Sequence, residues 1–266
     1  MQNIPRIYLD RELTLGAMIP LSADTAHYLN RVMRVSTKPK RNIGQNAESI
    51  DIFVFNNGSE FGAQLIEKQD GKKSVLYALC SMLSNRPDPS NNLTLAFAPI
   101  KQARLEEMIN MATQTGVRRL QPVITERTAA RHINWERIRK IAIEASEQSG
   151  RNSIPEVMPG QKFDEFLKMF KAQSSKLNLF FADERFANNK SSKHKKQNPF
   201  KDDCTLNFEF CALLIGPEGG FSNQEFIALD KIGAVGINLG KTILRAETAA
   251  ICALAQMNVQ SSKCNV

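Results

Sequence analysis

The sequence predicts an α/β protein of two domains, a small β-rich domain followed by a larger domain with a mostly parallel sheet. Three observations support this: hairpin-type turns between apolar runs near the N-terminus, a proline- and asparagine-rich stretch after them, and alternating strand and helix patterns from there on. A chain of 266 residues can bury two moderate cores. We expect a β domain over 1–85, a linker over 86–92 and the α/β domain over 93–266.

The N-terminal domain is predicted from two turn dipeptides. Asn57-Gly58 follows the run IDIFVF, and Asp70-Gly71 separates FGAQLIE from SVLYALC. Both dipeptides tolerate positive φ, which the tight turns of β-hairpins require. A small barrel or sheet is therefore expected.

Helices and strands alternate after the linker. LTLAFAPI predicts a buried strand, residues 101–115 a helix ended by Gly116, and LQPVIT the next strand. Asn134 can cap a second helix, and IPEV, a third helix and the strand KLNLFFAD continue the series. The residues expected to face the core on the three helices are Leu105, Met108, Ile109 and Ala112; Trp135, Ile138, Ile141, Ala142 and Ala145; and Phe163, Phe166, Leu167 and Phe170.

The segment LLIGPEGGFSNQE combines a buried strand with a loop that exposes its backbone. Three glycines and Pro217 follow the apolar run Cys211–Ile215, so side chains do not obstruct the main chain there. Ser222 and Glu225 have capping-box spacing, and Gly233 fits the position just past the helix end. The pattern suits a ligand loop about as well as an ordinary strand-to-helix turn.

The segment LGKTILRAETAAICAL repeats this plan. A strand ends near Leu239, Gly240 interrupts it, and strong helix formers begin at Ala246. Arg245 and Glu247 are the charges in the turn between them, and by themselves they suit a helix cap.

Several other classes of protein are disfavoured. GINLGKT has three residues between its glycines where a phosphate-binding P-loop has four, and the G-x-G-x-x-G dinucleotide pattern is absent from both loops. Five cysteines without a C-x-x-C pair indicate neither a metal site nor a disulfide framework. No membrane-spanning run or signal-peptide core is evident, so a cytoplasmic protein is expected.

The net charge of +8 is concentrated in two patches. Residues 185–201 hold six basic and no acidic residues, and residues 25–47 form a second patch without acids. Such patches suit a polyanion such as nucleic acid, although lysine-rich solvated loops have the same composition.

At this point the two loop segments resemble the knot-forming loops of SPOUT-class methyltransferases, specifically the bacterial 16S ribosomal RNA uridine-N3 methyltransferases. TERTAA, EASEQSGRNSIPEV and LAFAPIKQARLEEMINMATQTGV are also similar to that family, and AHYLNRVMRV resembles its N-terminal RNA-binding segment. The resemblance covers most of the chain. It implies an N-terminal PUA-like barrel and a C-terminal domain with a trefoil knot.

The resemblance also implies a cofactor and partners. Members of the family bind S-adenosyl-L-methionine in the knot, act as homodimers, and methylate N3 of a uridine in 16S ribosomal RNA of the small subunit. The residues that the resemblance assigns to the cofactor pocket are Leu214, Gly216, Pro217, Gly219, Gly220, Leu239, Gly240, Ile243 and Leu244.

Methylation at N3 requires an unpaired or flipped base, loss of the N3 proton, and a cation near the charge that spreads toward O2 and O4. Arg245 is the first candidate to orient the uracil, with Arg127 close by, and Glu247 or water can take the proton. The residues expected to position RNA are Arg6, His27, Arg31 and Arg34 in the N-terminal domain, with Gln148 and Arg151 on one face of the second helix.

The chain departs from the family pattern in the longer segment 36–48, in Gln114 where a glutamate is expected, and in the basic insertion before Cys204. None of these touches the cofactor loops. Two other functions remain open: methylation of a different RNA atom such as a ribose 2′-hydroxyl, and a non-catalytic RNA-binding assembly factor.

Overall fold

The computed structural model describes residues 4–35, 50–71, 73–89, 91–130, 132–173, 178–182, 185 and 211–264. The segment 36–48 and the basic insertion, apart from Arg185, lie outside these residues. The chain divides into two compact units. Unit 1 comprises residues 1–89 and 146–154, and unit 2 comprises residues 90–145 and 155–266. The first division falls within the stretch predicted as a linker, whereas the return of 146–154 to unit 1 was not predicted.

Unit 1 is built on a five-stranded sheet in the order β1-β3-β4-β5-β2. The β1–β3 pair is parallel and the other pairs are antiparallel. A short helix and a single π-helical turn stand between β2 and β3. The elements are β1 (Arg6–Tyr8), β2 (Met18–Pro20), α1 (Ala23–His27), the π turn (Tyr28–Val32), β3 (Ile52–Asn56), β4 (Ser59–Asp70) and β5 (Lys73–Leu83).

The two predicted hairpins are present. Asn57 and Gly58 have φ of 47° and 90°, and the strands on either side pair from Asn56 and Ser59 onward. Two consecutive residues with positive φ give the turn that matches the twist of a hairpin. Gly71, with φ of 62°, lies in the turn between β4 and β5.

A buried ion pair joins this sheet to the segment 146–154. The Arg6 guanidinium donates through Nε to Glu60 at 2.8 Å, and the Glu60 side chain is 2% exposed. Arg6 also donates to the main-chain carbonyl of Arg151 at 2.9 Å and to Asn152 Oδ1 at 2.8 Å. Ser84 donates to the second oxygen of Glu60 at 2.7 Å. The cluster thus satisfies a charge pair that would be costly to bury alone.

Two side chains that were predicted to bind RNA are enclosed in this part of unit 1. The Arg6 side chain is 9% exposed, and Arg151 is buried at 1% exposure. Phosphate groups of an RNA cannot reach guanidinium groups that the protein already encloses. The enclosure of both side chains favours a structural role for them over a contact with RNA.

Unit 2 is an α/β domain in which every described strand pair is parallel. The strand order is β12-β10-β11-β6-β7-β8, with β9 also paired to β7. Apolar strands in the middle of such a sheet are covered on both faces. The strands are β6 (Leu93–Phe97), β7 (Arg119–Ile124), β8 (Glu156–Val157), β9 (Gln161–Lys162), β10 (Asn178–Ala182), β11 (Cys211–Ile215) and β12 (Val235–Ile237).

The helices follow the predicted periodicity with one exception. All the predicted core residues of the three helices are buried except Trp135, which is 39% exposed. Trp135 is the first residue of its helix, where the backbone N–H of Arg137 binds the Asn134 cap, and it precedes the face that packs inward. The helices are α2 (Gln102–Gln114), α3 (Trp135–Ser149), α4 (Phe163–Gln173), α5 (Asn223–Lys231) and α6 (Ala246–Cys264).

The described ranges contain neither a membrane-spanning helix nor a cluster of metal-binding side chains. None of their helices combines the length and hydrophobicity needed to cross a bilayer. Nor do these residues contain a group of three or more histidine, cysteine or acidic side chains placed to hold a metal ion.

We predict that Glu60→Ala destabilises unit 1 by about 3 kcal/mol, because it leaves the Arg6 charge buried without its counter-ion. Urea unfolding followed by circular dichroism measures this change. The matched control is Arg119→Ala, which removes an exposed pair with Glu156 and is expected to change the free energy of unfolding by less than about 1 kcal/mol. Equal effects of the two variants would contradict the role assigned to the buried pair.

Candidate active site

The two glycine-containing segments meet in unit 2 around one cavity. Loop 216–222 leads from β11 to α5, and loop 238–245 leads from β12 to α6. The cavity has a volume of about 260 Å³, and both loops line it. Because the parallel strands β11 and β12 both end at this edge of the sheet, their following loops come together there.

Close packing explains why one loop position must lack a side chain. A Cβ atom at Gly216 would lie 3.0 to 3.3 Å from three atoms of the Phe221 ring. Phe221 is itself held by Phe163, Phe181 and Phe226, with ring centroids 5.6 to 6.3 Å away. The packed ring has little freedom to move away from an added Cβ, so glycine is favoured at this position.

The predicted capping box of α5 is present, and its glutamate also binds a second segment of the chain. Ser222 Oγ accepts from the backbone N–H of Glu225, and Glu225 Oε2 accepts from the backbone N–H of Ser222 at 2.8 Å. The other carboxylate oxygen, Oε1, accepts from the backbone N–H of Glu126 at 2.8 Å. One buried carboxylate therefore joins loop 216–222 to the segment after β7.

Arg127 lies on the same segment. Its Nη1 donates to the Gly219 carbonyl at 2.8 Å, and its side chain is otherwise exposed. Arg127 is not among the cavity-lining residues, although it was predicted as a catalytic group. Its contact is with the backbone of the loop.

Most of the residues predicted to bind the cofactor line the cavity, but Leu214 and Gly219 do not. Strand alternation explains Leu214, since its side chain packs in the core on the other face of the sheet from Ile215. Gly219 faces Arg127, which lies 3.4 Å from the position of an added Cβ. The predicted residues that do line the cavity are Gly216, Pro217, Gly220, Leu239, Gly240, Ile243 and Leu244.

Charged side chains of both signs stand at the cavity. Arg245 lines it, as do Arg104 of α2 and Glu218 of the first loop. Arg104 Nη1 lies 3.4 Å from Glu218 Oε1, and Arg104 Nε lies 4.0 Å from Glu247 Oε1. Glu247 is buried in the first turn of α6, and its Oε2 has no hydrogen-bond partner among the described residues. Glu247 does not line the cavity.

Sequence reasoning missed Arg104 and Glu218 as cavity residues. Glu218 lies in the glycine loop, where only the exposed backbone was considered as a ligand-binding group. Arg104 lies on α2, far along the chain from both loops. One feature of the sequence could have pointed to Arg104. A cation in the first turn of a helix is unfavourable to the helix dipole, which suggests that it interacts with an anion elsewhere.

The remaining RNA candidates lie in unit 1. His27 is the last residue of α1, Arg31 lies on the π turn and Arg34 follows it, and all three are exposed. Gln148 is exposed near the end of α3. Tyr28, Val32 and Met33 are also exposed there, at 38%, 62% and 37%, although large hydrophobic side chains are usually covered.

Three buried groups have shifted pKa values, and for the Cys80 thiol burial raises the pKa. Burial lowers the pKa of the Arg151 guanidinium to about 10, while the Asp88 carboxylate acts in the opposite direction. Burial raises the pKa of the Cys211 thiol to about 11, against a hydrogen bond with Asn178. The Cys211 thiol is thus protonated at neutral pH and suits the start of a core strand.

With this geometry established, comparison with known proteins identifies the class. The model of an RNA methyltransferase domain matches residues 86–258, which include both loops and the whole cavity lining. The chain therefore belongs to the RNA methyltransferases.

The relatives narrow the class to one family. The chain is 33% identical over 263 residues to ribosomal RNA small subunit methyltransferase E of Rickettsia conorii, covering 97% of each chain. A crystal structure of the enzyme of the same name from Neisseria gonorrhoeae, bound to S-adenosyl methionine, superposes with a TM-score of 0.74 at 28% identity, over 97% of this chain and 98% of that one. A Legionella pneumophila methyltransferase with the same bound cofactor superposes with a TM-score of 0.71 at 29% identity, over 99% and 98%. The chain is a member of the ribosomal RNA small subunit methyltransferase E family.

We predict that Gly216→Ala lowers the free energy of unfolding of unit 2 by about 1 to 3 kcal/mol, because the new methyl group forces the Phe221 ring out of its packed position. Gly219→Ala is the matched control in the same loop, where the nearest atoms, Cβ and Cδ of Arg127, lie at the ordinary contact distances of 3.4 and 3.5 Å. Thermal unfolding of both variants compares the two positions. A larger loss at Gly219 would contradict this account of the loop.

Proposed function

We propose that this protein transfers a methyl group from S-adenosyl-L-methionine to N3 of a uridine in 16S ribosomal RNA of the small subunit. The observation that carries the proposal is the meeting of the two glycine loops around one cavity with charged groups of both signs. The relatives' names support the small-subunit RNA as substrate. The choice of uridine N3 rests on the family resemblance of the loop sequences.

The lining residues fit the cofactor. Its adenosine needs apolar walls and exposed backbone groups, which Leu239, Ile243, Leu244 and the glycines offer. Its methionine end carries a carboxylate, an ammonium and a sulfonium, and the cavity has Arg104, Arg245 and Glu218 to meet them. When bound, the cofactor supplies an electrophilic methyl group to a nucleophilic nitrogen.

The chain's own residues then orient the base and stabilise charge. Arg245 lines the cavity, so its guanidinium can hold a uracil oxygen on which negative charge grows as the N3 proton leaves. Glu247 was a candidate to accept that proton, but it is buried and does not line the cavity. We propose that Glu247 instead holds Arg104, and that the proton passes to water.

Recognition of RNA is proposed for the exposed surface that runs from the end of α1 through the π turn to Arg34. His27, Arg31 and Arg34 supply positive charge for phosphates. Tyr28 adds an exposed aromatic ring between them, which is the type of group on which unpaired bases stack. Gln148 is retained as a hydrogen-bonding candidate because it is exposed.

Two finer features of the architecture belong to the same proposal. A PUA-like barrel is supported by the long strands β4 and β5 with a register shift at Gly62 and Ala63, since bulges promote coiling. A trefoil knot is supported by the path from β12, at the sheet edge, to α6, which packs on β11 and α2. A backbone trace in a crystal structure tests both.

A homodimer is supported by the composition of α6. Its inner face is buried, yet Thr248, Cys252, Ala255 and Val259 form an exposed stripe at spacings of four, three and four residues. A helix with so few charged residues on its outer face suits burial against a second subunit. Sedimentation equilibrium at neutral pH distinguishes a dimer from a monomer.

We predict that the protein transfers labelled methyl groups to small ribosomal subunits from a strain lacking the modification, and that nucleoside analysis recovers 3-methyluridine. Arg245→Ala is expected to lower the rate by about 100-fold, the typical loss when one charge-stabilising donor is removed. Arg137→Ala, which removes an exposed pair with Glu106, is the control. Label on ribose, or S-adenosyl-L-methionine binding without label on RNA, would favour the two alternative functions.

A separate prediction concerns the surface of unit 1. Tyr28→Ala is expected to weaken binding of the RNA substrate by about 5-fold or more through lost stacking, with cofactor affinity unchanged. Arg31→Ala is expected to weaken binding and to reduce its salt dependence, because it removes a phosphate contact. Filter binding over a range of salt concentrations measures both, and unchanged affinity for both variants would remove this surface from RNA recognition.

A further inference from the structure

We infer that the segment Thr125–Thr128 is a two-point latch for loop 216–222, in which Arg127 and Glu225 are positioning residues. The inference rests on the proposed function, because the loop it holds is the proposed cofactor loop. It changes the role of Arg127 from the predicted catalytic contact to control of cofactor affinity.

The first point of the latch is the Glu225 carboxylate. Its two oxygens accept from backbone N–H groups of two different segments, Glu126 on the latch and Ser222 on the loop, each at 2.8 Å. Glu225 is 6% exposed, so water does not readily replace either hydrogen bond. A carboxylate accepts at both oxygens, whereas a glutamine side chain accepts at only one. A carboxylate is therefore needed at position 225 to accept both hydrogen bonds.

The second point is the hydrogen bond from Arg127 Nη1 to the Gly219 carbonyl. The aliphatic part of Arg127 also lies along the loop, since Cβ and Cδ are 3.4 and 3.5 Å from where a Gly219 Cβ would stand. Neither Arg127 nor Gly219 lines the cavity. The guanidinium thus acts on the outer side of the loop whose inner side, through Gly216, Pro217 and Gly220, faces the cavity.

The latch is anchored in the sheet and is rigid in itself. It follows directly after β7, where Val123 is fully buried. The backbone N–H of Thr125 donates to Thr128 Oγ1 at 2.9 Å, and the Thr128 N–H returns to the Thr125 carbonyl at 3.2 Å. The two hydroxyl groups are 2.8 Å apart. These bonds close the turn on itself, so Glu126 and Arg127 meet the loop from a fixed base.

A loop held in place before ligand arrival has less conformational freedom to lose on binding. Removing one latch contact should therefore weaken cofactor binding while leaving the chemical step almost unchanged. A catalytic arginine that contacted the uracil would behave in the opposite way, with a lower kcat and unchanged cofactor affinity. The two roles of Arg127 are separable by measurement.

The test is isothermal titration of the full-length protein with S-adenosyl-L-methionine, together with kcat at saturating cofactor on small ribosomal subunits. Arg127→Ala is expected to weaken cofactor binding by about 5- to 10-fold, the equivalent of one hydrogen bond, with kcat within about 2-fold. Arg127→Lys keeps one donor and is expected to restore most of the affinity. Arg118→Ala is the control, since Arg118 is also exposed and also makes one side-chain hydrogen bond, to Asn92.

A fall in kcat of about 100-fold with unchanged cofactor affinity would overturn the latch and return Arg127 to a catalytic role. Unchanged affinity and unchanged kcat would overturn both roles. Failure of the wild-type protein to bind the cofactor at all is a different result, because it contradicts the proposed function itself.

A second pair of variants tests the Glu225 point. Glu225→Ala is expected to weaken cofactor binding more than Ser222→Ala, although both remove part of the capping box, because only the first removes the acceptor of the Glu126 N–H. Thermal unfolding of both variants shows whether α5 remains folded. Equal loss of affinity in the two variants assigns the effect to the helix cap and contradicts the latch.

Discussion

The requirement that a buried carboxylate be fully hydrogen-bonded organises the candidate site. Glu225 is enclosed by protein, and its two oxygens are satisfied by main-chain N–H groups on either side of it. This fixes the start of α5, the end of loop 216–222 and the position of the segment after β7 in one arrangement. The glycines of the loop let its backbone approach a ligand closely. The hydrogen bonds of Glu225 restrict the conformations that this backbone can adopt.

Local features of the fold follow from local sequence. The hairpin at Asn57-Gly58, the Ser222–Glu225 capping box, the stop at Gly233 and the apolar faces of the helices are each specified within a few neighbouring residues, and the structure contains them all. The two loops were also predicted to form one site, because their sequences resemble those of one family. The cavity lined by both loops agrees with this prediction.

What the sequence did not reveal depends on partners far along the chain. Arg6 looked like a phosphate ligand, yet its acceptors include Glu60, 54 residues away, and the Arg151 carbonyl, 145 residues away. Leu214 sits in a continuous apolar run, where hydrophobicity alone does not say which face of the sheet a side chain joins. Arg104 and Arg127 differ from other surface arginines only through the loops they meet in space. Charge and spacing predicted the type of chemistry at these positions, and tertiary contacts decided the role.

The return of residues 146–154 to unit 1 affects the order in which the nascent chain can fold. Domains generally fold in sequence order as they leave the ribosome. Here the first 89 residues contain all the strands of the unit 1 sheet, but Arg6 has no access to its carbonyl acceptors, nor Asn152 to Arg6, until synthesis has passed the end of α3. Until then the Arg6–Glu60 pair in the N-terminal sheet has only some of its hydrogen bonds. During the same period β6, α2 and β7 of unit 2 have already been synthesised and can pack. Completion of the N-terminal unit is thereby tied to translation of more than half the chain.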